Sequence, residues 1–169
     1  DDLRRGVLDP PAGSALRTVA EFREPDGTLL DARTAGVDLL NVLRPTVAIH
    51  RWVALAALAL HEHPAWRERL RTHDEDVVPF VHEVRRFYPF FPMVAARVRT
   101  PFTWRGVDFP RGRRVLLDLT ATDHDARAWD DPERFAPERF RSWGEDAYGF
   151  VPQGGGDHRE GHRCPGEWI

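Results

Sequence analysis

Residues 153–168 read QGGGDHREGHRCPGEW and contain Cys164, the single cysteine of the 169-residue chain. Three consecutive glycines precede this thiol, and Pro165 and Gly166 follow it. The loop alone leaves four interpretations of Cys164 open. It could be a buried structural thiol, a zinc ligand with His158 and His162, or a catalytic thiolate with a histidine partner. It could also be a thiolate ligand of haem iron, with glycines that let the loop lie flat against the porphyrin.

The composition is that of a globular protein. Hydrophobic residues make up 41% of the chain, and the net charge of −3 provides no basic surface for nucleic acid or an anionic membrane. All 24 basic residues are arginine, which excludes Schiff-base and P-loop lysine chemistry within the chain. A lone cysteine forms no internal disulfide, so we expect a reducing, cytoplasmic environment. The chain starts without a methionine or a signal sequence, and we expect it to be part of a longer protein.

The longest apolar stretch predicts a helix from about Thr34 to His63, ended by Pro64. A membrane span is the alternative. Four polar residues interrupt the run: Asp38, Arg44, His50 and Arg51. The uncharged part, residues 52–60, is far shorter than the ~20 residues that a span needs. We therefore expect a buried central helix and no stable membrane insertion.

The rest of the chain predicts further helices and a little β-structure. A short helix is expected around Gly13–Arg23, and a charged surface helix precedes a second helix near Val77–Phe87, which Pro89 and Pro92 stop. Residues 94–125 are rich in β-branched and aromatic side chains with Arg-Gly turns, which predicts two or three short strands. The fold class is therefore mainly α with a small β-sheet portion.

Glu83 and Arg86 lie three residues apart, on one face of the predicted helix at Val77–Phe87. An exposed ion pair is the simplest interpretation of this spacing. Trp129, Pro132 and Phe135 follow, then Pro137-Glu138-Arg139-Phe140, and then the cysteine loop. The order of long helix, Glu-x-x-Arg, Pro-x-Arg-Phe and glycine-rich cysteine loop resembles the cytochrome P450 superfamily.

This resemblance implies a partial cytochrome P450 fold over residues 1–169, from the central helix through the haem-binding loop. The amino-terminal half and the helix after the loop would be missing. It also implies haem b with Cys164 as the axial iron ligand, and a buried triad of Glu83, Arg86 and Arg139 that holds the loop. The cofactor-binding residues it implies are Cys164, Gly161, Arg163 and Arg97.

The Arg44-Pro45 pair in the long helix narrows the resemblance. Typical monooxygenases carry an acid next to an alcohol here, whereas Asp38 is followed by Leu39. Arg44-Pro45, with EVRRFYPFFP and the cysteine loop, closely resembles the bacterial fatty-acid peroxygenases. We expect Arg44 to be buried among apolar side chains, where its partner is either Asp38 or a ligand carboxylate. Pro45 removes a helical hydrogen bond and can bend the helix.

The resemblance implies a peroxygenase that hydroxylates long-chain fatty acids at the α or β carbon with hydrogen peroxide. Decarboxylation to terminal alkenes is an additional outcome, and no obligatory redox partner is expected. Two other functions stay open. One is a conventional electron-fed monooxygenase that uses the Asp38 region. The other is an inactive or metal-binding fragment that uses His158, His162 and Cys164.

Overall fold

The computed structural model describes residues 1–161 and 163–168. They form two compact units, residues 1–50 and residues 51–168. In the first unit, α1 (Ala15–Glu21) begins after Ser14, whose hydroxyl accepts a hydrogen bond from the Arg17 amide at 3.3 Å. The long helix α2 (Ala32–Glu62) begins in the first unit and ends in the second.

Helix α2 has 31 residues, so it is ~46 Å long. It continues through Pro45, and one residue later the Thr46 hydroxyl donates a hydrogen bond to the Val42 carbonyl at 3.0 Å. The helix is long and apolar enough to cross a membrane by length and composition, with a mean hydropathy of 1.2 in its most apolar window.

The prediction that α2 is buried is wrong for these residues, because only 6% of that window is buried. Ala35 and Ala59 are its buried hydrophobic residues, and Arg44 is exposed. The physical reason is that within the described chain only the carboxyl-terminal part of α2 packs against a core, through Trp52, Leu55, Ala56, Ala59 and Leu60.

The second unit is built on α4 (Val77–Phe87), which follows α3 (Ala65–Thr72) and a 3₁₀ turn at Asp74–Asp76. The bounds of α4 are those predicted from the sequence. One face of α4 carries Phe80 and Val84, which are buried against aromatic rings. The neighbouring face carries Glu83 and Arg86, which are also buried.

The β-structure consists of two antiparallel pairs. Strand β1 (Met93–Arg97) pairs with β4 (Arg114–Asp118), and β2 (Phe102–Trp104) pairs with β3 (Val107–Phe109). The inner hairpin turns at Arg105 and Gly106, whose φ angles of 50° and 78° are left-handed, as a two-residue hairpin turn requires. The sequence predicted two or three strands, and four are present in the described residues. The predicted fold class is confirmed.

Short helical turns complete the second unit. Helix α5 (Leu119–Asp123) follows β4 directly, a 3₁₀ turn covers Pro137–Arg141, and another begins at Pro165 and ends at Trp168. Two aromatic clusters pack around α4. The first contains Trp66, Phe80, Val84, Tyr88 and Phe135, and the second contains Trp129, Phe140 and Phe150.

Phe135 joins the first cluster to the segment that follows α5. Its ring stacks on His63 with centroids 4.3 Å apart and contacts Phe80 and Phe87 at 5.8 and 5.6 Å. Phe135→Ala leaves a cavity at this junction, and we expect a loss of about 3–5 kcal/mol in the free energy of unfolding by denaturant titration.

Phe91→Ala is the matched control for Phe135→Ala, because Phe91 is 57% exposed. We expect the control to lose about 1 kcal/mol or less. Equal losses in the two variants would contradict the placement of Phe135 in the core.

Candidate functional site

An ion cluster joins α4 to the segment before Phe140, with Glu83 and Arg86 fully buried and Arg139 11% exposed. Arg86 Nε and Nη2 donate to the two Glu83 carboxylate oxygens at 2.8 Å each. Arg139 approaches the same carboxylate with its Nε 3.3 Å from Oε2. The Ala136 amide donates to Glu83 Oε1 at 2.7 Å. The structure therefore brings the predicted triad together around one carboxylate.

Backbone carbonyls accept further hydrogen bonds from both guanidiniums of this cluster. Arg86 donates to the carbonyls of Asp123 and Arg134 at 2.9 and 3.3 Å. Arg139 donates to three carbonyls between residues 130 and 134, at 2.7, 3.2 and 3.0 Å. A buried charge is tolerated only when it is paired and hydrogen-bonded. The two guanidiniums thus fix the path of α5 and of residues 130–139 relative to α4.

Asp123 connects this cluster to the start of the cysteine loop. Its carbonyl binds Arg86, and its carboxylate accepts a hydrogen bond from the Val151 amide at 2.8 Å. The side chain is 3% exposed. Burial raises the pKa of the Asp123 carboxyl to about 7, against the smaller lowering effects of the Val151 amide and Arg86. The sequence reasoning missed Asp123, because its role depends on a contact 28 residues away.

The cysteine loop folds closely on itself. The Cys164 amide donates to the Gln153 carbonyl at 2.9 Å, and the Gly156 amide donates to the Ala147 carbonyl at 2.8 Å. A Cβ on Gly155 would come within 2.7 Å of the Ala147 carbonyl oxygen. A Cβ on Gly161 would come within 2.5 Å of the Asp157 carbonyl oxygen. These two glycines are therefore required by the loop's own backbone, a reason that the sequence reasoning did not give.

A second ion cluster lies beside Cys164. Glu167 accepts hydrogen bonds from Arg163 Nε at 2.5 Å and Nη2 at 3.0 Å. Arg85 of α4 binds the same carboxylate through its Nη2. Burial would raise the pKa of Glu167, but the hydrogen bonds from Arg163 and Arg85 outweigh it and lower the pKa to about 2. The sequence named Arg163 as a site residue but missed Arg85 and Glu167.

The other predicted site residues lie apart from these clusters. Arg44 is exposed, and within the described residues it forms no ion pair, including none with Asp38. The expectation that Arg44 is buried is wrong here, since no described segment covers that part of α2. Pro45 is half-buried. Arg97 ends β1, where its exposed guanidinium donates to the Gly112 carbonyl at 3.2 Å.

The described residues contain no group of three or more metal-ligating side chains. His158 lies 3.9 Å from the Glu167 carboxylate. The zinc interpretation of the cysteine loop also needs His162, which lies outside the described residues. That interpretation therefore stays a prediction.

The Glu83 carboxylate carries the negative charge at the centre of the triad. Glu83→Gln keeps the size of the side chain but leaves the buried Arg86 and Arg139 without a compensating carboxylate. We expect the free energy of unfolding to fall by about 3–5 kcal/mol in a denaturant titration. Glu68→Gln, at an exposed position of α3, is the control and should change it by about 0.5 kcal/mol or less. A Glu83→Gln variant as stable as this control would show that the ion cluster contributes no stability.

The buried Asp123 carboxyl should make the free energy of unfolding depend on pH. The pKa of Asp123 is about 7 when folded, against an ordinary value of 3.8. Between these values the folded state holds a proton that the unfolded state releases, so stability falls as the pH rises through this window. Asp123→Asn still accepts the Val151 hydrogen bond and carries no charge. We expect the variant to exceed the wild type by about 2–4 kcal/mol at pH 8, with the difference vanishing near pH 4.

Asp125→Asn is the control for this pH profile. Hydrogen bonds from the Arg127 side chain and amide lower the pKa of the half-buried Asp125 to about 2. We therefore expect Asp125→Asn to be less stable than the wild type at neutral pH, which is the opposite sign. The wild type loses this advantage only as the pH falls below about 4. Denaturant titrations from pH 3 to 9 measure both profiles. An Asp123→Asn variant that is less stable than the wild type at pH 8 would contradict the raised pKa of Asp123.

Comparisons with known proteins agree with this arrangement. The family model described as cytochrome P450 matches residues 77–169. Cytochrome P450 71A8 of Mentha piperita is 30% identical over 161 residues, which cover 82% of this chain and 30% of that protein. Cytochrome P450 71B17 of Arabidopsis thaliana is 38% identical over 79 residues, covering 44% of this chain and 16% of that protein.

Solved structures resemble the chain over almost its whole length. Cytochrome P450SP alpha (CYP152B1) in complex with (R)-ibuprofen is 49% identical, with a TM-score of 0.86 over 99% of this chain and 41% of that chain. P450EX alpha (CYP152N1) with myristic acid is 46% identical, with a TM-score of 0.83 over 99% of this chain and 41% of that chain. A variant of cytochrome P450 OleT in complex with arachidonic acid is 40% identical, with a TM-score of 0.86 over 99% of this chain and 40% of that chain.

The chain spans about two fifths of the length of these solved structures. More than half of each has no counterpart in the 169 residues. The predicted resemblance to the peroxygenase branch is confirmed by the identities to CYP152 structures. The matched residues and these likenesses show that the chain belongs to the cytochrome P450 family, whose haem iron is held by a cysteine thiolate.

Proposed function

We propose that this chain is part of a haem-thiolate peroxygenase that hydroxylates long-chain fatty acids at the α or β carbon with hydrogen peroxide. The observation that carries the proposal is Arg44 on α2. It is an exposed guanidinium among the exposed apolar side chains of Leu40, Leu43 and Val47, and no described carboxylate pairs with it. Similar structures were solved with myristic and arachidonic acid, which are fatty acids.

The cysteine loop fits a thiolate-bound haem. Cys164 is a free, half-buried thiol, and its amide is fixed to the Gln153 carbonyl at 2.9 Å. The cytochrome P450 family binds haem iron through a cysteine thiolate. When haem is bound, electron donation from this thiolate favours cleavage of the O–O bond. Cys164 would hold the iron, with Gly161 and Arg163 in the loop around it. Arg97 is proposed as a propionate contact.

Arg44 would bind the fatty-acid carboxylate through two parallel N–H···O bonds, the geometry that guanidinium prefers. The carboxylate would then supply the acid–base group that α2 lacks, since Leu39 follows Asp38 in place of an alcohol. Holding the carboxyl end also selects the α and β carbons for reaction. Pro45 removes the amide hydrogen that would bind the Asn41 carbonyl, which leaves this turn of the helix easier to reshape around a ligand.

Hydrogen peroxide as co-substrate brings the oxygen atom and both oxidising equivalents. For this reason we propose that neither a redox partner nor NAD(P)H is required. Hydroxy acids are the main products in this proposal, and decarboxylation to a terminal alkene is a second outcome of the same substrate geometry.

We propose that α2 packs inside a larger cytochrome P450 domain, of which residues 1–169 are one part, in a cytoplasmic protein. A bilayer would have to accommodate Arg44 and Arg51, each at a cost of about 2.5–3.5 kcal/mol near the centre of a span. The similar solved structures have more than half their length outside the matched region, which is enough chain to cover the exposed faces of α2.

The prediction for this function is that Arg44→Leu keeps haem binding but loses fatty-acid turnover with peroxide. Removal of two charge-assisted hydrogen bonds should lower kcat/KM by about a hundredfold or more. Product formation from myristic acid, measured by mass spectrometry, gives the rate. The haem absorption spectrum shows that the site is intact.

Arg33→Leu is the matched control, because Arg33 is another exposed arginine of α2. Its turnover should equal that of the wild type. Retained turnover in Arg44→Leu would rule out the carboxylate-binding role. Wild-type turnover that requires NAD(P)H and a reductase, with none from peroxide, would favour the electron-fed monooxygenase instead.

A further inference from the structure

Two consecutive arginines of α4 point into different ion clusters. Arg86 belongs to the buried cluster around Glu83. Arg85 instead reaches the Glu167 carboxylate, which is 82 residues away in the chain. The Glu83 cluster fixes α5 and residues 130–139, whereas the cluster of Arg85, Arg163 and Glu167, here called the loop cluster, contacts the cysteine segment itself.

Arg85 touches both ends of that segment. Its guanidinium carbon lies 5.2 Å from the centre of the Phe150 ring, at the start of the loop. Its Nη2 binds Glu167, three residues after Cys164. A cation over an aromatic face and a charge-assisted hydrogen bond are both attractive. One side chain of α4 therefore holds the chain on either side of the thiol.

The arrangement within the loop adds a local restraint. Arg163 and Glu167 are joined by two hydrogen bonds and lie on either side of Cys164 in sequence. The side chains of Arg85, Arg163 and Glu167 are 12%, 17% and 10% exposed. Ion pairs with so little contact with solvent are screened less than surface pairs, and loss of one partner leaves a charge with poor compensation.

We infer that Arg85 and Glu167 are positioning residues for Cys164, which together attach the thiolate segment to α4 independently of the Glu83 cluster. This inference rests on the proposed haem-thiolate function. Loss of either residue should let the segment around Cys164 move while the two aromatic clusters stay folded. The thiolate bond to haem would then be lost more readily.

The test compares Arg85→Met, Glu167→Gln and the double variant by two measurements. In the haem-loaded chain, the rate at which the reduced carbon-monoxide complex loses its thiolate absorption band should rise about tenfold in each single variant, equivalent to ~1.4 kcal/mol. In the haem-free chain, Cys164 is the single thiol, so its reaction rate with a disulfide reagent reports how often the loop opens. This rate should also rise about tenfold, with unchanged far-ultraviolet circular dichroism.

The double variant separates one shared interaction from two unrelated effects. If Arg85 and Glu167 act through each other, the double variant should match the single variants, because coupled residues are not additive. Arg85→Lys keeps the charge and should recover most of the wild-type behaviour. Arg127→Met removes a guanidinium that is 83% exposed in an ion pair and serves as the matched control, with no change expected.

Rates equal to those of Arg127→Met, or fully additive effects in the double variant, would overturn the inference. If Arg85→Met does not fold, the two rates measured for Glu167→Gln test the inference, because this substitution keeps the shape of the side chain. If the larger protein that contains residues 1–169 never shows a thiolate band, the proposed function fails. The disulfide-reagent rates still test the positioning of Cys164 in that case.

Discussion

The structure depends on the buried carboxylate of Glu83, which two guanidiniums share. Its two oxygens take both hydrogen bonds from Arg86 at 2.8 Å, and Arg139 lies 3.3 Å from the same group. The fully buried Arg86 could not stay buried without this anion. Both guanidiniums also donate to backbone carbonyls of Asp123 and of residues 130–134. These bonds hold the irregular chain after α5 against α4.

A hierarchy of contacts leads from this cluster to the thiol. Arg86 binds the Asp123 carbonyl, and the Asp123 carboxylate binds the Val151 amide at the beginning of the cysteine loop. The loop then closes through its own backbone, where the Cys164 amide meets the Gln153 carbonyl. Arg85 contacts the loop directly through Glu167. Helix α4 therefore contributes Glu83, Arg85 and Arg86 to the contacts that lead to the Cys164 segment, although Arg85 is 82 residues from Glu167 in sequence.

The local features of this fold could be predicted from the sequence, whereas the one long-range contact predicted, between Glu83 and Arg139, came from the family resemblance. Helical periodicity and proline set the bounds of α4, and the spacing of Glu83 and Arg86 placed both on one helix face. The same reasoning expected α2 and Arg44 to be buried, because it assumed that apolar residues in a long helix have chain to cover them. Asp123 carries no local signal, since an acidic residue near a turn is usually solvated and the Val151 amide is 28 residues away. Glu167 lies four residues after its local partner Arg163, but its contact with Arg85 spans 82 residues.

The central claim is that the Cys164 thiolate holds haem iron in this loop. The most direct measurement is the carbon-monoxide difference spectrum of the reduced, haem-loaded protein, compared with that of a Cys164→Ser variant. The account predicts the red-shifted Soret band that gives the cytochrome P450 family its name in the wild type, and its absence in the variant. A wild-type spectrum without that band, or one that the serine substitution leaves unchanged, would contradict the account.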